Sequence, residues 1–366
     1  MTAYYVLFAL IGGLSLIAGL FDKAKKWVLL TIMLVLFFFM AFRAKSVGAD
    51  TNNYVALFVS HGMAYGNIDS VWASKGDITA LYDAYAWVVY QLFPFEQSIL
   101  VINSVIICAG VWLFIREFSE TPVFSVLLYV LSFCYFFAFN GMRQSMAGAL
   151  VLMALVCMNR RLYVPEVILL IVAIGVHQTA LFMVPVVIAV HALIKGRRFD
   201  ATYVLVGCIA AALLIRLFYT PLFDAFSSIF RHFDTYSEGG GPFSASDTTQ
   251  GRQAVLYGAI AVFMFVASRV PGMSETIRAN QKSRVLWAIG SLCVGFGLFC
   301  TDYELLARLI YYLLPALVCV LGFLSKRMDA GNKTVLIRMG LLTCYFILCL
   351  YMLSVNYSIV VPYEFY

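Results

Sequence analysis

Arg43, Arg143 and Arg308 each stand at or just inside the end of a long apolar stretch. A cation within reach of hydrocarbon costs about 2.5–3.5 kcal/mol on insertion scales, so an arginine there is either a snorkelling anchor or part of a site. Guanidinium groups gathered at one end of a helix bundle would suit a polyanionic headgroup. Pyrophosphate is the obvious candidate, because forked N–H donors bind phosphate oxygens in pairs.

Each arginine sits in a block of polar residues. In Arg43-Ala44-Lys45-Ser46-Val47-Gly48-Ala49-Asp50-Thr51-Asn52-Asn53-Tyr54, Arg43 is a phosphate ligand or an interfacial anchor. Asp50 is a sugar contact or general base, and Gly48 would let backbone approach a ligand closely. In Asn140-Gly141-Met142-Arg143-Gln144-Ser145-Met146-Ala147-Gly148 a helix starts after Asn-Gly, with Arg143 in its first turn and Gln144 beside it. A helix N-terminus disfavours a cation, but an anion bound there would satisfy both the guanidinium and the free N–H groups. His177-Gln178-Thr179 forms the third block. His177 is a structural hydrogen-bonding residue or, with an ordinary pKa of about 6.5, a base for a sugar hydroxyl. The fourth block, Thr301 to Tyr312, spaces Glu304 and Arg308 for a local ion pair, with Tyr311 and Tyr312 one turn further on. Arg216, Arg231 and Arg252 are further cations around 220–252, and Arg252 is counted with the substrate-binding set.

These blocks must be positioned by membrane helices. The chain is 63% hydrophobic, its mean hydropathy is +0.91, and apolar stretches fall at 2–21, 27–43, 97–115, 121–139, 142–158, 163–176, 178–194, 201–219, 253–269, 285–300, 304–324 and 335–355. The fold class expected is an all-α integral membrane protein of about twelve transmembrane helices, with residues 1–366 forming a single polytopic domain. Two long outer loops, about 44–96 and 220–252, interrupt the spans. The first ends in a Tyr- and Trp-rich stretch, 81–93, too short to span and suited to an interfacial or re-entrant helix. With both termini outside, 17 of the 25 basic residues fall on inner connections, which explains the net charge of +6 without nucleic acid. Residues 2–21 lack a basic n-region and a cleavage site, and read as a retained span. All nine cysteines lie in or at the end of spans, so disulfide and zinc readings have no support.

Taken in order, the blocks resemble the EpsG-like branch of Wzy-type polysaccharide polymerases. The matching pieces are Arg43 with Val47-Gly48-Ala49-Asp50-Thr51 and Tyr54, Asn140 to Ser145, His177 with Thr179-Ala180, Ala307-Arg308 with Tyr311-Tyr312, and Pro362-Tyr363. The resemblance implies a glycosyltransferase that joins undecaprenyl-pyrophosphate-linked oligosaccharide repeat units at the periplasmic face of a bacterial inner membrane. Membrane lipid and a chain-length regulator are the other partners it allows. On this reading His177 and Asp50 are catalytic, with His177 the base. Arg43, Arg143, Gln144, Arg308, Tyr54, Tyr311, Glu304 and Arg252 bind substrate, and neither metal nor cofactor is needed. A lipid-linked oligosaccharide flippase and a metal-dependent GT-C-like glycosyltransferase are the rivals. The first would need a polar path through the bundle, the second an acidic cluster in the first outer loop.

Overall fold

The computed structural model describes residues 1–76, 78–196, 199–219, 247–301, 304–328 and 332–366, with the side chains of 247–252, 304, 332 and 333 not among them. Among the described residues every regular element is helical. The apolar runs are too long for strands, and in lipid a helix satisfies its backbone internally.

The helices are α1 Thr2–Leu20, α2 Lys25–Ala41, α3 Thr51–Ala64, α4 Ile68–Lys75, α5 Ala80–Leu92, α6 Ser98–Phe118, α7 Pro122–Leu131, α8 Cys134–Asn140, α9 Met142–Asn159, α10 Tyr163–Val176 and α11 Met183–Lys195. They continue with α12 Ala201–Leu217, α13 Asp247–Ser268, α14 Met273–Ala279, α15 Gln281–Phe299, α16 Glu304–Arg327 and α17 Asn332–Ser354. By length and composition eight helices can cross a membrane, or ten if the bent pairs α7 with α8 and α13 with α14 each count as one span. Two of the twelve expected crossings are therefore not established. They form α10 and α12, of 14 and 17 residues. At about 1.5 Å per residue, 14 residues rise only about 21 Å, short of a hydrocarbon core about 30 Å thick.

Both outer segments also differ from expectation. Residues 44–96 carry three helices, α3, α4 and α5, rather than one. The α13 helix starts at Asp247, so the second loop ends earlier than 252, and its residues 220–246 lie outside the described ones.

The chain divides into two compact units, Met1–Val184 with Leu321–Tyr366, and Pro185–Val320. In the second unit α12 packs along α15 through small residues. A Cβ on Gly295 would meet the Ala212 Cβ and the Cys208 carbonyl, both at 2.9 Å. Trp287, buried, donates from Nε1 to the Ala201 carbonyl at 2.7 Å.

In the first unit α6 and α9 approach closely, since a Cβ on Gly110 would sit 2.7 Å from that of Ala149. One end of this unit is basic. Its connections hold the pairs Lys25–Asp22 at 2.5 Å, Arg160–Glu117 at 2.6 Å and Arg327–Glu120 at 2.8 Å. At the other end the chain's first and last segments meet, where the Tyr4 hydroxyl donates to the Val360 carbonyl at 2.6 Å. Reporters fused ahead of Met1 and after Tyr366 should therefore read the same side of the membrane, and one inserted at Arg161 the opposite side. Opposite readings at the two termini would contradict this arrangement.

Candidate functional site

The site is built where α2 ends, α3 and α9 begin, and α10 ends. The loop after α2 is pinned onto the α8–α9 junction. Thr51 Oγ1 donates to the Phe139 carbonyl at 2.8 Å, and the Asp50 N–H donates to Asn140 Oδ1 at 3.1 Å. Gly48 has φ +97°, and a Cβ there would lie 2.2 Å from the Phe139 carbonyl oxygen, so only glycine fits. The close approach expected of Gly48 is thus to the chain itself. It brings the first two blocks together.

Arg43 is wholly buried. Its Nη1 donates to the Met40 carbonyl in the last turn of α2, its Nη2 lies 3.7 Å from Met142 Sδ, and its guanidinium covers the Phe139 ring at 4.9 Å. Tyr135, Tyr363, Tyr4 and Tyr54 lie near it. Its Nε has no hydrogen-bond partner, and no carboxylate among the described residues pairs with it. As folded, Arg43 does not reach a ligand directly. It is a buried positive charge behind the N-terminus of α9.

The C-terminal tail closes this pocket. Arg43 forms an antiparallel bridge with Phe365, the Ala44 N–H donates to the Glu364 carbonyl at 2.8 Å, and the Tyr366 N–H donates to the Phe42 carbonyl at 2.9 Å. Tyr363 donates its hydroxyl to the Phe39 carbonyl at 2.8 Å. The Pro-Tyr tail, an aromatic interfacial segment by composition, is therefore the wall of the Arg43 chamber.

Arg143 is the second residue of α9, half-buried, with α9 lacking a side-chain cap. Its Nε and Nη2 donate to the Val176 carbonyl at 3.4 and 3.3 Å, and it stacks over Tyr82 at 4.3 Å. Val176 is the last residue of α10. The negative end of that helix offsets the unfavourable position of a cation at the start of α9. Gln144, the next residue, is buried.

His177 follows Val176 directly, so the third block joins the other two. The Thr179 N–H donates to His177 Nδ1 at 3.3 Å, and Thr179 Oγ1 lies 2.8 Å from the same nitrogen. With Nδ1 accepting from the Thr179 N–H a neutral ring carries its proton on Nε2, and with Nδ1 donating to Thr179 Oγ1 it carries it on Nδ1. The first tautomer presents a donor at Nε2, the second the lone pair that a base needs.

Sequence reasoning missed two contributors. Tyr82 supplies the face beneath Arg143 and accepts from Asn103 Nδ2 at 3.2 Å, while the Tyr85 hydroxyl donates to Asn103 Oδ1 at 2.8 Å. Asn103 is fully buried in the apolar α6. A lone amide within a span was the available signal, since a buried polar group needs partners. Arg308, half-buried, and Tyr311 stand one turn apart on α16 in the second unit. The side chains of Glu304 and Arg252 lie outside the described residues, as do Asp302 and Tyr303. Among the described residues no group of three or more His, Cys, Asp or Glu is placed to hold a metal.

A model of the EpsG family matches residues 26–365. The chain belongs to the EpsG family. The match begins ahead of Arg43 and ends at Phe365, so it takes in all four blocks and the tail that walls the Arg43 chamber. Family membership makes this EpsG-family chain a multi-pass membrane protein of polysaccharide synthesis, of the polymerase type. No curated protein and no solved structure matches the chain.

Proposed function

We propose that this EpsG-family protein joins oligosaccharide repeat units carried on a polyprenyl pyrophosphate, at the outer face of a bacterial inner membrane. The observation that carries the reading is the convergence of Arg143, buried Arg43 and His177 at one end of the first unit, opposite its basic end. Basic connections favour the cytoplasmic side, which turns the site outward.

In the proposed step an acceptor sugar hydroxyl attacks the donor's anomeric carbon. A new C1–O bond forms as the C1–O bond to phosphate breaks, and the electron pair leaves with the polyprenyl pyrophosphate. Arg143 exchanges its long bonds to one carbonyl for shorter, charge-assisted bonds to the departing phosphate. Arg43 adds its field through low-dielectric surroundings, where a charge acts more strongly than in water. His177 donates from Nε2–H to the leaving oxygens, and the hydroxyl proton passes to the Asp50 carboxylate, half-buried beside the α8–α9 junction. Gln144, Tyr54, Arg308 and Tyr311 are assigned to substrate binding on the family resemblance. The arginines supply the charge stabilisation, so no metal is required.

The test is polymerisation by purified protein with synthetic lipid-linked repeats. Long polymer should form, and should persist in EDTA. Activity lost in EDTA and restored by a divalent ion would favour a metal-using transferase, and translocation without polymer would favour a flippase.

The role of His177 separates cleanly. A Gln places its amide N–H close to the position of Nε2, so His177→Gln should keep at least about a tenth of wild-type rate. His177→Ala should fall about 10²-fold, the usual effect of losing one donor to developing charge. Equal losses in both variants would return His177 to the base role.

A further inference from the structure

The basic end of the first unit holds a second feature, which the polymerisation reading does not use. A cavity of about 950 Å³ opens there between α1, α2, α6, α7 and α17. Its interior is apolar, with Leu30, Leu127 and Leu342 among its walls, and its rim carries Trp27 and Trp112. Ligand cavities run from about 300 to 1,000 Å³, so it is roomy enough for a headgroup and the first part of its chains.

Five cations line it, but they are not equivalent. Lys25 is committed to Asp22 at 2.5 Å, and Lys326 to Glu120 at 3.1 Å. Glu120, the one carboxylate in the lining, is itself shared with Arg327 at 2.8 Å. Lys26, Arg116 and Arg338 remain. Among the described residues none of them has a carboxylate partner. Lys26 lies 5.9 Å from the Trp27 ring, Arg116 lies 5.1 Å from the Trp112 ring and Arg338 lies 5.5 Å from the Phe124 ring.

Arg338 is the most informative of them. It is half-buried inside the apolar span Thr334–Ser354, and its one hydrogen bond runs from Nε to Ser325 Oγ at 3.2 Å. A guanidinium one turn inside the span, turned to a cavity already lined by two other cations without carboxylate partners, is stabilised when an anion joins it. Tryptophans at the rim place the opening at headgroup level.

We propose that this cavity binds an anionic phospholipid, its phosphodiester held by Lys26, Arg116 and Arg338 and its acyl chains lying on the apolar wall. Three cations without carboxylate partners beside apolar surface attract an anionic phosphate carried on two hydrocarbon chains, and basic pockets between helices on the cytoplasmic side recognise such headgroups. The pyrophosphate carrier is read at the opposite end of the same unit, so it is not the occupant assigned here.

The full-length protein, stripped of lipid in detergent, would be titrated with dioleoyl phosphatidylglycerol and with dioleoyl phosphatidylcholine and followed by native mass spectrometry. The wild type should retain the glycerol lipid at least about tenfold over the choline lipid. In K26Q/R116Q/R338Q the preference should fall to within about twofold. If the triple variant fails to fold, R116Q, altered only at the exposed rim, should lower the preference about threefold. Equal retention of both lipids by the wild type, or an undiminished preference in the variants, would overturn the proposal. Displacement of the glycerol lipid by a lower concentration of polyprenyl phosphate would reassign the cavity to the carrier, and formation of a dimer that excludes lipid would reassign it to a second copy.

Discussion

Arg43→Met should leave the protein at least as resistant to heat as the wild type while lowering polymer formation about 10²-fold, the scale of one electrostatic contributor. The two effects part because Arg43 is a buried cation without a carboxylate. Bringing such a charge out of water costs several kcal/mol, and replacing buried ionic groups with apolar ones is often neutral or stabilising. Here the compensation is partial: a carbonyl bond from Nη1, a sulfur contact and an aromatic face, with Nε left unsatisfied. Methionine fills irregular apolar space well, and Met142 and Phe139 already offer suitable neighbours. On the proposed function this charge serves the leaving pyrophosphate rather than the fold. The measurements are a melting curve in detergent and the polymer assay on the same preparation. If melting temperature and activity fall together by similar degrees in Arg43→Met, Arg43 serves the fold alone.

Arg143→Ala is the complementary case. Polymer formation should fall by about 10³-fold, at the upper end for loss of one charge-stabilising donor, because in the proposed step this half-buried guanidinium, unlike the enclosed Arg43, touches the departing phosphate. Stability should change little. The side chain gives up two long bonds to a single carbonyl and one stacking contact, and Val176 at the end of α10 can turn to water. Arg143→Lys should recover no more than about a tenth of the rate, since an ammonium cannot present two parallel donors. Retention of polymer formation within about threefold in Arg143→Ala would remove it from the leaving-group role, and with it the main support for the pyrophosphate reading.

Much of this protein is legible along the chain because the controlling physics is local. A run such as Ser98–Phe118 must be a membrane helix in any tertiary setting, since only a helix satisfies its backbone in lipid. The start of α9 after Asn140-Gly141, the misplacement of Arg143 in its first turn and the interruption at His177 are likewise short-range facts. The EpsG resemblance rests on the same local blocks, and the family match over 26–365 agrees with it.

What needed the tertiary structure are the partnerships between distant residues. Arg43 reads as a rim arginine, yet Met142, 99 residues away, and the C-terminal tail enclose it completely. Arg143 is balanced by a carbonyl 33 residues later, at the end of a helix whose direction no spacing reveals. The loop 44–96 reads as polar with one short helix, but it carries three, and Tyr82 in the last supplies the surface under Arg143. Hydrophobic pattern determines which segments enter the membrane. Burial and charge compensation at the site depend on which segments then meet, and only the packed chain decides that.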